Sequence, residues 1–171
     1  MHEHEFGQQQ SAAAAYLTTL EGRLRADGCG TRWEDWQGMP VLVGRRSDFR
    51  MRWAATNLHL FTVAAAVPRI TVEAISGFTY GVLKYAKDTK GGLPVGLQTG
   101  VGAFPVLVSD DVDPDAVRWA EEQQRNRFAC LARPVVVDCG QHHVGMYRGR
   151  PFIGGIYASH FIKKGTRYFY G

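Results

Sequence analysis

The run Asn57-Leu58-His59-Leu60-Phe61-Thr62-Val63-Ala64-Ala65-Ala66-Val67, closed by Pro68, decides the fold. It is apolar at nearly every position and lacks the alternation of a half-exposed strand, so it predicts a strand covered on both faces. Thr71 follows as a helix cap. Val72, Ile75, Phe78 or Thr79, Val82 and Ala86 then recur at helical spacing as one apolar stripe. Gly77 and Gly81, one turn apart, offer a place for another backbone to approach, and Gly91 and Gly92 end the helix. Ala103 to Val108 is a second apolar run of the buried kind. Strand, helix and strand in this order predict parallel pairing through a right-handed crossover.

Outward from this unit the pattern continues on both sides. Asp113-Pro114 couples a capping acid to a proline in the first helical turn, and Val117, Ala120 and Gln124 carry that third helix on. Pro134 to Val137 is a third buried strand ending at Asp138. Gly140 lies in a turn, and Val144 to Tyr147 returns antiparallel. Ile156 to Lys164 reads as a last short helix. Before the central unit, residues 1–10 are polar and read as a flexible tail. Ser11 caps a first helix whose stripe is Ala13, Tyr16, Leu17, Leu20 and Leu24, stopped by Gly28. Met39 to Gly44 and Phe49 to Trp53 read as short antiparallel strands, punctuated by Gly38-Met39-Pro40 and Arg46-Ser47-Asp48. The expectation is a single α/β domain over residues 11–171, in the order α-β-β-β-α-β-α-β-β-α. Its sheet is mixed, mainly parallel at the centre and flanked by helices.

A chain of 171 residues suffices for one well-buried core, and 45% hydrophobic with 21% charged residues excludes a disordered chain. The net charge of +4 is uneven: seven basic residues face seven acidic ones up to Leu60, seven face eight from Phe61 to Cys130, and six face one, Asp138, thereafter. The excess therefore sits in the C-terminal quarter. Cys29, Cys130 and Cys139 cannot all pair within the chain and match no zinc spacing, which suits reduced thiols in a cytoplasmic protein. The start Met-His-Glu-His-Glu-Phe has no secretory character, and no apolar run reaches the ~20 residues a membrane span needs. No membrane partner is expected.

Two segments carry candidate binding chemistry. The stretch Lys90 to Gly102 has the glycine density of a loop that wraps an anion with backbone N–H groups. Lys87, Lys90, Gly91, Gly92, Gln98 and Thr99 are its candidate anion-binding residues. Its order is helix, loop, strand, whereas phosphate-cradling motifs run strand, loop, helix, so it is neither a Walker loop nor a dinucleotide fingerprint. Near the C-terminus, Lys163, Lys164 and Arg167 interleave with aromatics including Tyr168. That mix suits nucleic-acid backbone and bases or another protein, and it equally suits a helix docked by its aromatics.

Other constellations are weaker. Asp138-Cys139-Gly140-Gln141-His142-His143 gathers metal-capable groups, but adjacent histidines in a strand point to opposite faces, so no metal site is expected. No base is placed beside either Cys130 or Cys139, and His59 reads as a core or surface histidine. The order helix, three strands, helix, strand also resembles the core of the restriction-endonuclease-like fold. That resemblance implies an acid on the second strand and Glu-x-Lys or Asp-x-Lys on the third. Asp48 offers the acid, but the third strand has Asn57-Leu58-His59 where the acid and lysine belong. The resemblance covers the order of elements and not the motif.

The leading expectation is a non-catalytic binding or assembly module contacting another macromolecule, protein or nucleic acid, through the basic C-terminal region, with a homo-oligomer as a further option. The alternatives are a small enzyme acting on a phosphate-bearing or other anionic substrate through the Gly-rich loop, and a degenerate nuclease-like domain binding nucleic acid. No cofactor is expected.

Overall fold

The computed structural model describes residues 2–50, 56–89, 99–122, 125–127, 130–149 and 158–170. Their elements run α1 (His2–Ala26), β1 (Gly30–Trp36), β2 (Met39–Arg50), β3 (Thr56–Ala66), α2 (Val72–Thr89), β4 (Thr99–Ser109), α3 (Pro114–Glu122), β5 (Arg125–Arg127), β6 (Cys130–Ala132), β7 (Val135–Asp138), β8 (His143–Met146) and α4 (Ala158–Phe169). The strands form one mixed sheet.

The three apolar runs read as buried strands do lie side by side and parallel: β3 pairs with β4, and β4 with β7. The sheet as a whole is not mainly parallel, however. Parallel pairing is confined to β3, β4 and the β6–β7 line, while β1–β2, β2–β3, β5–β6 and β7–β8 are antiparallel. Two of these antiparallel pairs involve β1 and β5, whose Thr-Arg-Trp-Glu-Asp-Trp and Arg-Asn-Arg sequences are too polar to register as buried runs. Both lie at ends of the strand path, where polar residues are tolerated because one side of the strand meets solvent.

The line formed by β6 and β7 breaks for a definite reason. Its pairing with β4 runs from Val101↔Cys130 to Ala103↔Ala132 and resumes in the same register at Val106↔Val135. That register sets Pro134 beside Pro105, and neither proline has an N–H to give.

Local chemistry explains the element ends. Gly28, at φ 83°, lets Cys29 N–H reach the Leu24 carbonyl at 3.0 Å and closes α1 in a Schellman turn. Gln37 and Gly38, both at positive φ, form a two-residue hairpin between β1 and β2 whose twist matches the strands. Thr71 Oγ1 accepts from Ala74 N–H at 3.1 Å, and Asp113 Oδ1 from Asp115 N–H at 2.9 Å, so both expected caps are made.

Some expectations are corrected. Ser11 lies inside α1 rather than at its cap, because helix-compatible Gln8 to Gln10 and the alanine run on either side carry the helix through it. The two short strands around Arg46-Ser47-Asp48 are one strand, β2; the residues read as a turn are mid-strand, and Arg46 pairs with Asp48 on one face. Trp53 and Gln124 fall outside the described residues. The last helix continues beyond Lys164 to Phe169. Gly77 and Gly81 have nothing within 4 Å of where a side chain would start, so among the described residues no backbone uses them.

Period-two alternation sends side chains into two cores. Leu42, Leu60, Phe104 and Val106 face α1 and α4, meeting Leu20, Leu24, Phe161 and Tyr168. Val43, Phe61, Val63 and Leu107 face α2 and α3, meeting Ile75, Val82 and Ala116. Helix α1 presses onto the sheet at Gly44, where a β-carbon would sit 2.8 Å from Leu24 Cδ1.

Candidate functional site

The sequence Arg45-Arg46-Ser47-Asp48 in β2 divides the polar chemistry between the two faces. Arg46 and Asp48 point toward α1 and α4; Arg45 and Ser47 point toward α2.

On the α4 face the charges close on each other. Asp27 follows α1 and is almost fully buried. Lys164 Nζ contacts both its carboxylate oxygens at 2.7 Å, Arg167 Nη1 lies at 2.7 Å and Arg46 Nη1 at 3.2 Å. The Tyr168 hydroxyl also donates to Asp27. Arg46 forks onto Asp48, with Nε 2.8 Å from Oδ2 and Nη2 2.8 Å from Oδ1, and His160 Nε2 stands 3.1 Å from the same Oδ2. Burial pushes the Asp27 carboxyl up, but hydrogen bonds from Lys164 and Tyr168 and the nearby cations outweigh it and hold the group below its usual range. Asp48 is held low in the same way, burial being overcome by Arg46 and His160. Burial, then the bond to Asp27, raises the Tyr168 phenol.

Of the C-terminal candidates, Lys164, Arg167 and Tyr168 are brought together on Asp27. Lys164 and Tyr168 are buried, while Lys163 and Arg167 stay exposed. Asp48, the acid that the nuclease resemblance would require, is taken up by Arg46 and His160. Its cross-strand neighbour is Leu58, and His59 lies on the opposite face against Ser47. The element order of that resemblance is present and its chemistry is not.

On the α2 face a cleft of about 440 Å³ opens between β1, β2, β3 and the end of α2. Its cationic wall is Arg32 and Arg45, its hydroxyl is Ser47, and its apolar floor is Val43 and Phe61 with Tyr85 beside them. Thr31 joins the lining, but its hydroxyl lies on the α1 face, where it accepts from Arg25 Nε at 2.8 Å. Arg45 is braced: its guanidinium carbon stands 5.1 Å from the Phe61 ring centroid, and Nη1 donates to the Thr89 carbonyl at 2.8 Å. Arg32 donates to the Tyr85 hydroxyl at 2.6 Å and lies 3.1 Å from Glu34. At the cleft, Ser47 Oγ and His59 Nδ1 are 2.8 Å apart, a contact between residues directly opposite in the β2–β3 register.

The Gly-rich segment leaves and re-enters the described structure at this end of the sheet. Thr89 lines the cleft, and Thr99 begins β4 opposite Asn57. Lys87 is exposed in the last turn of α2. Lys90, Gly91, Gly92 and Gln98 lie outside the described residues. Arg32, Arg45 and Ser47 carry no motif in the sequence. The signal that could have found them is period-two separation of Arg45 and Ser47 from Arg46 and Asp48, legible only once β2 is known to be continuous.

The remaining described candidates make local contacts. Asp138 Oδ1 accepts from Gln141 N–H at 3.0 Å, and His143 bonds Glu121 at 2.9 Å. Burial pushes the Cys29 and Cys139 thiols up, the opposite of what an attacking thiolate needs. No family model matches the chain, and neither the curated proteins nor the solved structures contain a match. Among the described residues no helix is long and apolar enough to cross a membrane.

Proposed function

We propose that the domain is a non-catalytic binding module that takes an anionic group, phosphate or carboxylate, of its ligand in the cleft on the α2 face. The supporting observation is the braced pair Arg32 and Arg45 beside the Ser47 hydroxyl, above an apolar floor. Guanidinium groups favour oxyanions because their planar N–H forks match the oxygen spacing. The half-buried Tyr85 gives the rest of the ligand an aromatic surface. The source of the phosphate is either a nucleic-acid strand or a small molecule.

Calorimetric titration with inorganic phosphate, acetate and a 5′-phosphorylated single-stranded oligonucleotide tests this. Removing one charge-assisted hydrogen bond costs about 1.5–3 kcal/mol, so Arg45→Ala should weaken binding about tenfold or more. Oligonucleotide binding far tighter than phosphate binding, with a steep salt dependence, identifies nucleic acid as the source. If the wild-type chain binds none of the three at low salt, the proposal fails.

The 2.8 Å Ser47–His59 contact favours a second reading, an esterase-like or phosphatase-like enzyme acting on an anionic substrate in the same cleft. Ser47 Oγ would attack the carbonyl carbon or phosphorus as His59 takes its proton; the ester bond breaks, the alcohol leaves with that proton, and water then frees the acid or phosphate and restores Ser47. Hydrolysis of a p-nitrophenyl ester or phosphate that disappears in both Ser47→Ala and His59→Ala, with anion binding retained in His59→Ala, would support it. No turnover by the wild-type chain would exclude it for these substrates.

A further inference from the structure

Strand β1 is bonded to β2 on one side, and among the described residues nothing pairs with its other side. At seven residues it is the longest such edge; β5 and β8, which end the sheet elsewhere, have three and four. A long open edge is a template for another strand unless it is blocked by proline, a bulge or repelling charge. Proline and bulge are both absent from β1, which pairs residue for residue from Gly30↔Arg45 to Trp36↔Met39. At its midpoint stands Trp33, 47% exposed, one of two large hydrophobic side chains among the described residues that are left so open.

The charges on this edge are self-complementary in one register. Two copies related by a two-fold axis perpendicular to the sheet pair residues on the same face. The axis can therefore pass through Arg32, Trp33 or Glu34 but not between residues. An axis at Arg32 sets Arg32 against its own copy, and an axis at Glu34 sets Glu34 against its own copy. An axis at Trp33 sets Arg32 against Glu34 twice, Thr31 against Asp35 twice, and Trp33 against Trp33. Arg32 and Glu34 already share a face, 3.1 Å apart within the chain, so the exchange needs no change of side-chain direction.

We propose that the β1 edge is a homodimer interface, in which a second copy of this chain adds its β1 antiparallel about Trp33 and continues the sheet across both protomers. The inference shares Arg32 with the α2-face cleft but is read by association rather than by anion binding, so either can fail without the other.

Sedimentation equilibrium of the full chain is the test, with circular dichroism as the folding control. The wild-type chain should be a dimer. Arg32→Glu places Glu against Glu twice and Glu34→Arg places Arg against Arg twice, so each variant alone should be monomeric with an unchanged spectrum. Mixed in equal amounts, the two variants should form a heterodimer, because each carries the charges that the other lacks. Trp33→Ser should weaken wild-type association at least tenfold. A monomeric wild type at the highest soluble concentration overturns the proposal. So does dimerisation of both charge variants at wild-type strength, or a mixture that stays monomeric while both are folded.

Discussion

Asp27 joins the two ends of the chain. Its carboxylate is met by Lys164, Arg167 and Tyr168 from α4 and by Arg46 from β2. Removing it leaves the Lys164 cation buried without its nearest anion, which costs about 3–5 kcal/mol in comparable pairs. Asp27→Ala should therefore lower the urea midpoint more than Lys164→Ala, since Arg167 and Arg46 still serve Asp27 in the second variant. The pH dependence has a definite sign. The folded Asp27 and Asp48 groups titrate below their unfolded value of about 4. Their contribution is complete above that value and is lost as pH falls through the lower folded values. Urea midpoints should be flat near neutrality and fall below about pH 4. Asp27→Asn combined with Asp48→Asn should flatten that fall, and an unchanged acid limb would contradict the assignment.

Elements buried on one or both faces were legible; those at the rim were not. Helix α2 announced itself through Thr71 and a stripe of which Ile75, Thr79, Val82 and Ala86 are buried, and β3, β4 and β7 through unbroken apolar runs. Strand β1 carries its hydrophobic content in two tryptophans separated by acids, so its period is visible only beside β2. The polar triplet Arg46-Ser47-Asp48 imitated a turn because Arg46 and Asp48 neutralise each other across one strand face, and the residues that cover them there, Asp27 and His160, lie elsewhere in the sequence. The site was hidden for a similar reason, since Arg45 and Arg32 meet Thr89 and Tyr85, 44 and 53 residues further on, and such distant partners leave no local pattern. Helix α3 is the opposite case, with its start written in two adjacent residues. Asp113→Ala removes the acceptor of the 2.9 Å bond from Asp115 N–H and should cost about 1 kcal/mol. Asp113→Asn, which keeps an acceptor, should cost much less. Equal losses in the two variants would show that the negative charge at the helix start, and not the cap, is what matters.

For the molecule as a whole, one sheet separates two cores that share strands but not side chains. Phe104 heads one: it stacks on Phe161 at 4.6 Å between centroids and meets Phe169 edge-on at 5.4 Å. Ile75 belongs to the other, between α2 and the sheet. If each layer packs against the sheet by its own contacts, small losses on opposite faces should add, while losses in one stack should not. Phe104→Leu with Ile75→Val, each a mild truncation, should sum to within about 0.5 kcal/mol in equilibrium unfolding. Phe104→Leu with Phe161→Leu should depart from the sum by more, because the first substitution already removes what the second would lose. Both double variants should still unfold in one transition, since β3, β4 and β7 carry side chains of both cores and neither can melt while the other keeps its strands. Two separated transitions would mean that one helical layer can detach from a standing sheet, and α4, held by charge at Asp27 as well as by Phe161 and Phe169, would then be the layer to examine first.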